Sequence, residues 1–193
     1  MRRVAAVLLH HPVLDRGGQV VTTAITNLDL HDLARSAHCY GLNDLFIAHP
    51  VAAQRELALR VRTHWTEGSG ARRIPDRKPA MEILRVVDSL ATVFEAMGGR
   101  DSVELWTTSA RGGDDLLPFA AARRRLAQAG PAVLIAFGTG WGLAPAAFEQ
   151  AQAQLVPIET PRTDGFNHLS VRAAAAITFD RLLAPGQAQG PEA

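Results

Sequence analysis

Residues 136–145 read AFGTGWGLAP, with glycines at 138, 140 and 142 around Trp141, shortly after the apolar run PAVLI. Glycines at that density let a backbone turn tightly and bring its N–H and C=O groups against a ligand. Two further polar stretches suit ligand contact: TTSARGG at 107–113, with hydroxyls on Thr108 and Ser109, and ETPRTDGFNH at 159–168. The glycine pattern is not a dinucleotide fingerprint. That fingerprint opens the first βαβ unit of its domain, whereas here only about fifty residues follow the glycines. The spacing is G-x-G-x-G, Leu143 stands where the third fingerprint glycine belongs, and no Lys-Ser/Thr follows to make a P-loop. From the motif alone, a structural turn is the alternative. No spacing of His, Cys and Asp points to a metal, and the lone Cys39 excludes an internal disulfide or a cysteine cluster.

Phosphate recognition is the other chemistry the residues offer. Segment 51–80 holds seven basic side chains (Arg55, Arg60, Arg62, Arg72, Arg73, Arg77, Lys78) against three acidic ones, and Arg123–Arg125 add a second cluster. Such stripes suit a nucleic-acid backbone; solvated helix faces are the plainer reading. The formal net charge of the 193-residue chain is only +1, so any basic surface is local.

These segments need elements to position them. The apolar run 4–13 reads as a first, buried strand; Val4–Leu9 is too short for a signal peptide and no small-residue cleavage site follows. Helices are expected over 27–41, 51–65 (a stripe of Leu57, Val61 and Trp65), 80–99, 118–130, 145–152 and 167–183. Strands are expected over 45–50, 103–110, 132–138 and 154–160, with a loop over 66–79. Strands alternating with helices specify an α/β fold: a mostly parallel sheet with helices on both faces. Ligands of such sheets bind at the carboxyl ends of the strands, where all three polar stretches fall. No stretch approaches a membrane span, so a cytoplasmic protein without membrane contact is expected. Residues 1–184 are read as one domain and 185–193 as a disordered tail.

The late strand with a glycine turn, the short helix after it, and VPIETPRTDGFNHLSVRAAAAI together resemble the C-terminal half of SPOUT-class methyltransferases. TNLDLHDLARSAHCYGLNDLFIAHP resembles the first motif of that class, and the likeness runs over about residues 3–184. It is nearest to a bacterial family of predicted S-adenosylmethionine (SAM)-dependent RNA methyltransferases. The resemblance implies a C-terminal deep trefoil knot that holds SAM, and transfer of its methyl to a base or ribose of tRNA or rRNA. A SAM-binding RNA-interaction protein without catalysis is the alternative.

By that resemblance the cofactor is lined by Phe137, Gly138, Thr139, Gly140 and Gly142, with Leu143, Ile158 and Leu169 as walls. Glu159, Thr160 and Asn167 belong to the second loop, and Thr108 and Ser109 either meet the methionine part or cap a helix. Trp141 packs over the ligand or caps the core. Candidates for proton acceptor or orienting group are Asn27, Arg35 and Asp164, with Arg35 on a phosphate or the acceptor. His31 and His168 are read as structural or RNA-contacting, and His10 and His11 as bordering the site or filling the core. Many relatives in the resembled class carry a glutamate within the glycine motif, where this chain has Gly140 and Trp141, so no glutamate role transfers. FNHLS stands in place of the Ser-Leu-Asn run of the ribose-methylating branch, which leaves base and ribose both open. A homodimer is expected around the last helix, because LSVRAAAAITFDRLL is apolar on more than one face. That arrangement would bring Asn27 or Arg35 of one chain to the cofactor of the other.

Overall fold

The structure is a computed structural model and describes residues 2–185. The chain runs β1 Val4–Leu9, β2 Val13–Leu14, β3 Val20–Val21, α1 Asn27–Cys39, β4 Leu45–Ala48 and α2 Ala52–Thr66. It continues α3 Ser69–Arg73, a 3₁₀ turn, α4 Lys78–Glu82, β5 Leu84–Val87, α5 Leu90–Ala96 and β6 Val103–Thr107. Last come α6 Phe119–Ala127, β7 Ala132–Gly138, α7 Pro145–Glu149, β8 Ala153–Gln154 and α8 Val171–Leu183. Six strands form one parallel sheet in the order β5-β4-β1-β7-β6-β8, while β2 and β3 make a small antiparallel hairpin.

β1 is central, pairing β4 on one side and β7 on the other, and all six of its residues are buried. Burial on both faces is why its sequence VAAVLL shows no polar alternation. Val4, Ala6 and Leu8 pack under α1, α2, α4, α6 and α8. Ala5, Val7 and Leu9 pack against α5 and α7 on the opposite face. The chain leaves β1 toward β4 and leaves β7 toward β8, on opposite sides. The β1/β7 boundary is therefore where a ligand crevice belongs in a sheet of this class.

Several expectations from the sequence need correction. The single helix over 80–99 is α4, then strand β5, then α5. Its helical spacing hid the short strand Leu84–Val87, apolar at Leu84, Val86 and Val87, which completes the sheet edge beside β4. Ser89 then starts α5 by accepting the Thr92 N–H on its Oγ, 3.3 Å away. The loop over 66–79 contains α3 and the turn Pro75–Arg77. Gly70 lets α3 seat against His64 and Trp65, where a Cβ would meet ring atoms at 2.8 Å. The strand over 154–160 shrinks to β8, because Pro157 has no N–H to continue an edge ladder. The first strand stops at Leu9, short of the expected Val13, and leads into the unforeseen hairpin. On α2, Ala58 and Thr66 are the buried residues, while Leu57 is 46% exposed. The last helix begins only at Val171, where the Ser170 hydroxyl accepts the Ala173 N–H at 3.2 Å. The tail beyond residue 185 lies outside the described residues.

Candidate functional site

The glycine turn leaves β7 and is stitched to the hairpin that follows β1. Trp141 N–H donates to Leu14 C=O at 2.8 Å, Leu14 N–H returns to Gly142 C=O at 2.9 Å, and Thr139 N–H reaches Leu9 C=O at 3.3 Å. Each glycine has a reason within the chain itself. A Cβ on Gly138 would lie 2.7 Å from Leu143 N; one on Gly140 would lie 2.7 Å from Leu14 O. Gly140 and Gly142 also take φ of +60° and +107°. The glycines therefore shape the wall of a cleft, and their bareness at 138 and 140 is used against the protein's own backbone.

The cleft opens at the carboxyl ends of β7 and β6, with a volume of about 600 Å³, a size that takes a nucleoside-sized ligand. Phe137 forms its floor, edge-on to Phe179 with ring centroids 5.7 Å apart. Thr108 and Ser109 line the β6 side; the Thr108 hydroxyl donates to Ala136 C=O at 2.9 Å and Ser109 Oγ accepts the Arg111 N–H at 2.9 Å. Val156 and Ile158 form the far wall. Asn167 ties two loops together, its amide donating to Ile158 C=O at 3.0 Å and Ala110 C=O at 3.3 Å. Leu169, Ala174 and the buried Thr178 close the side formed by α8.

The structure thus gathers Thr108, Ser109, Phe137, Gly138, Thr139, Gly140, Trp141, Gly142, Ile158, Asn167 and Leu169 around one space. Leu143 is buried on the opposite face of the sheet, with the α5 and α7 core. Glu159 is exposed on the same loop, and Thr160 accepts the Arg162 N–H; neither lines the cleft. Asn27 and Arg35 are exposed on α1 and lie outside it, Arg35 beside a shallow depression with Asp32, Ser36 and Tyr40. Asp164 sits on the exposed loop, paired with Arg162, whose guanidinium holds its carboxyl below the usual range.

The carboxylate that does line the cleft is Asp29, and the sequence reading did not single it out. It is buried, takes the Thr26 hydroxyl at 2.6 Å, and pairs with Arg172 of α8 at 2.7 Å. The signal was present in TNLD: Thr26 is the N-cap of α1 and Asp29 stands three residues on, as in a capping box. Behind the glycine turn runs a partly buried polar chain. His10 Nδ1 meets the Thr23 hydroxyl at 3.1 Å, and that hydroxyl meets the hydroxyl of Thr139 on the cleft wall. His49 donates from Nε2 to Thr23 C=O at 2.9 Å and accepts the Val51 N–H on Nδ1 at 3.0 Å. Burial pushes the His10 imidazole down to about 4 and lowers His49 in the same direction. Both rings are therefore neutral at pH 7.

An apolar floor, backbone-rich loops and a few inward hydroxyls form a donor set that fits a flat heterocycle carrying a sugar and a short charged tail. SAM has that composition, so the residues present fit it. No helix among the described residues is long and apolar enough to cross a membrane.

Comparison with known proteins agrees with this geometry. A family model described as SAM-dependent RNA methyltransferase matches residues 3–184. The chain is 40% identical over 184 residues to a tRNA (guanine-N(1)-)-methyltransferase of Nitratidesulfovibrio vulgaris, covering 94% of this chain and 42% of that protein. It spans less than half the length of that relative. A protein of Aquifex aeolicus is 34% identical over 182 residues, covering 93% of this chain and 87% of its own length. Among solved structures, TrmJ from Z. mobilis ZM4 superposes with a TM-score of 0.60 at 17% identity, covering 99% of this chain and 72% of that one, and so shares the fold.

Proposed function

The chain belongs to the family of SAM-dependent RNA methyltransferases, and from that premise we propose that it binds SAM in the cleft between β7, β6 and α8 and methylates tRNA. The observation that carries the reading is the convergence of the glycine turn and the 156–169 loop on one cleft of ligand size. SAM supplies a sulfonium methyl: the carbon–sulfur bond breaks as the bond to an RNA nitrogen or oxygen forms, sulfur keeps the electron pair, and the acceptor loses its proton. The chain's part is alignment and exclusion of water. The stitched backbone of Gly138–Gly142 and the far wall at Ile158 hold the heterocycle and ribose. The Asn167 amide fixes the spacing of the two loops, and Thr108 and Ser109 face the tail. The choice of tRNA rests on the name of the N. vulgaris relative.

The resemblance to SPOUT enzymes supports three further parts of the reading. Residues 1–184 act as one methyltransferase domain in the cytoplasm, where the RNA substrate resides. The segment between β7 and α8 forms the deep trefoil knot, which an experimental trace through 138–175 tests. The protein works as a homodimer. Leu28 and Leu169, 61% and 46% exposed, give that interface apolar side chains. Because Asn27 and Arg35 lie outside their own cleft, their role in the reaction is at the cleft of a second copy. Asp164, held by Arg162 on the loop beside the cleft, is a candidate for orienting group or proton acceptor.

The test is transfer of labelled methyl from SAM by the purified chain to unmodified tRNA, with ribosomal RNA alongside. Incorporation into tRNA is expected. Incorporation into ribosomal RNA alone would overturn the choice of substrate, and none into either would overturn the catalytic reading.

A further inference from the structure

Trp141 and Phe166 are 43% and 56% exposed in a chain with only three tryptophans. Trp106, by contrast, is wholly buried, and Trp65 lies beneath the Arg77 guanidinium. The two exposed rings are not scattered. The His168 imidazole stands between them, edge-on to each, with centroids 5.3 Å from Trp141 and 5.4 Å from Phe166. Trp141 and His168 line the cleft itself, so this aromatic surface is continuous with the space assigned to the cofactor. The exposed Arg111 lines the same mouth, and Arg162 lies 5.9 Å from the Phe166 ring.

We propose that Trp141, His168 and Phe166 form a stacking platform for an unpaired nucleobase of the acceptor RNA, placed beside the transferable methyl; this rests on the methyltransferase reading above. Edge-on packing leaves ring faces open, and every base has a π-face that such a ring accepts. Arg111 at the rim suits a phosphate beside the base; Arg162 is held by Asp164. The base has to be unpaired because a duplex covers both its faces and keeps its reactive edge out of a cleft. Apolar contact with a protein partner would not call for an imidazole at the centre of the patch or for an arginine at its mouth.

The experiment uses the full chain saturated with S-adenosylhomocysteine and an RNA hairpin carrying fluorescent 2-aminopurine in its loop or in its stem. Quenching of the loop base, and not of the stem base, is expected. Trp141→Ala and Phe166→Ala are each expected to weaken hairpin binding about tenfold and to remove the quench. Trp141→Phe keeps most of both. Calorimetry with S-adenosylhomocysteine alone is expected to show an affinity within about threefold of the native chain for Phe166→Ala, whose ring lies outside the lining of the cleft. Native hairpin affinity and quench in both alanine variants would overturn the platform. So would a loss of cofactor affinity in Phe166→Ala in step with its loss of RNA affinity. A change in sedimentation with hairpin affinity intact would make the patch a subunit contact and also overturn it. If the native chain binds no S-adenosylhomocysteine yet quenches the loop base, the cofactor reading fails, and with it the placement beside the methyl, while stacking of the base on these rings stands.

Discussion

His10 occupies the last position before the chain turns away from β1, wholly buried, with Nδ1 on Thr23 and no hydrogen-bond partner at Nε2 among the described residues. Burial lowers its pKa from 6.5 to about 4. An unfolded chain therefore takes up a proton near pH 6.5 that the folded one refuses until about pH 4. The neutral ring's stabilising contribution is complete above pH 6.5 and is lost as pH falls toward 4, an effect of about 3 kcal/mol. His31 and His49, also lowered chiefly by burial, act in the same direction. Denaturant midpoints between pH 7 and 4 are expected to fall steeply for the native chain and more gently for His10→Gln; parallel curves would contradict the assignment. At this scale the sequence was partly legible. The residues of the glycine turn stand out by type, and two histidines at a strand end invite a core reading. Asp29 did not stand out, because a carboxylate in the first turn of a helix is ordinary. Only the arrival of Arg172 from α8, distant in sequence, makes it part of the cleft.

Among the elements, the glycine turn and the β2–β3 hairpin behave as one unit. Gly140 is left-handed and faces Leu14 C=O so closely that a Cβ would sit 2.7 Å from the oxygen. Gly140→Ala is expected to cost about 2 kcal/mol from strain and the forced retreat of the hairpin. Faster amide exchange at Trp141, whose N–H donates to Leu14, is expected with it. Unchanged stability would show that the hairpin moves aside freely. A substitution here disturbs the scaffold as well as any ligand, so it is a poor probe of binding. The hairpin was illegible because its strands have two residues each and pair through the turn chemistry of DRGGQ, without apolar alternation. The 80–99 stretch misled for the opposite reason. Its apolar residues fit a helical period, and only pairing with β4 shows that Leu84–Val87 is a strand. The longer strands β1 and β7 were legible because burial on both faces writes an unbroken apolar run.

For the molecule as a whole, the alternation of strands and helices was enough to specify a parallel sheet with helices on both faces and to put the polar loops at its carboxyl end. The apolar circumference of α8, read from sequence as a call for a partner, is largely met within the chain: α8 packs against α1, α6 and β7. The case for a dimer rests instead on the exposed Leu28 and Leu169 and on Arg35 standing outside the lining of its own cleft. Sedimentation at micromolar concentration is expected to show a dimer of the 20.7 kDa chain. Mixing Arg35→Ala chains with chains blocked in the cleft is expected to restore part of the activity that each lacks, since a mixed dimer keeps one intact site. A monomer, or no recovery on mixing, would confine each site to one subunit. All of this depends on the cleft holding SAM, and calorimetric titration of SAM tests that most directly. Ala174 of α8 lines the cleft, so Ala174→Phe fills it without altering the glycine turn or a hydrogen bond. The native chain is expected to bind one SAM per subunit, and the variant, with native sedimentation and circular dichroism, to bind at least about tenfold more weakly. Equal affinities, or no binding by the native chain, would contradict the assignment of this cleft.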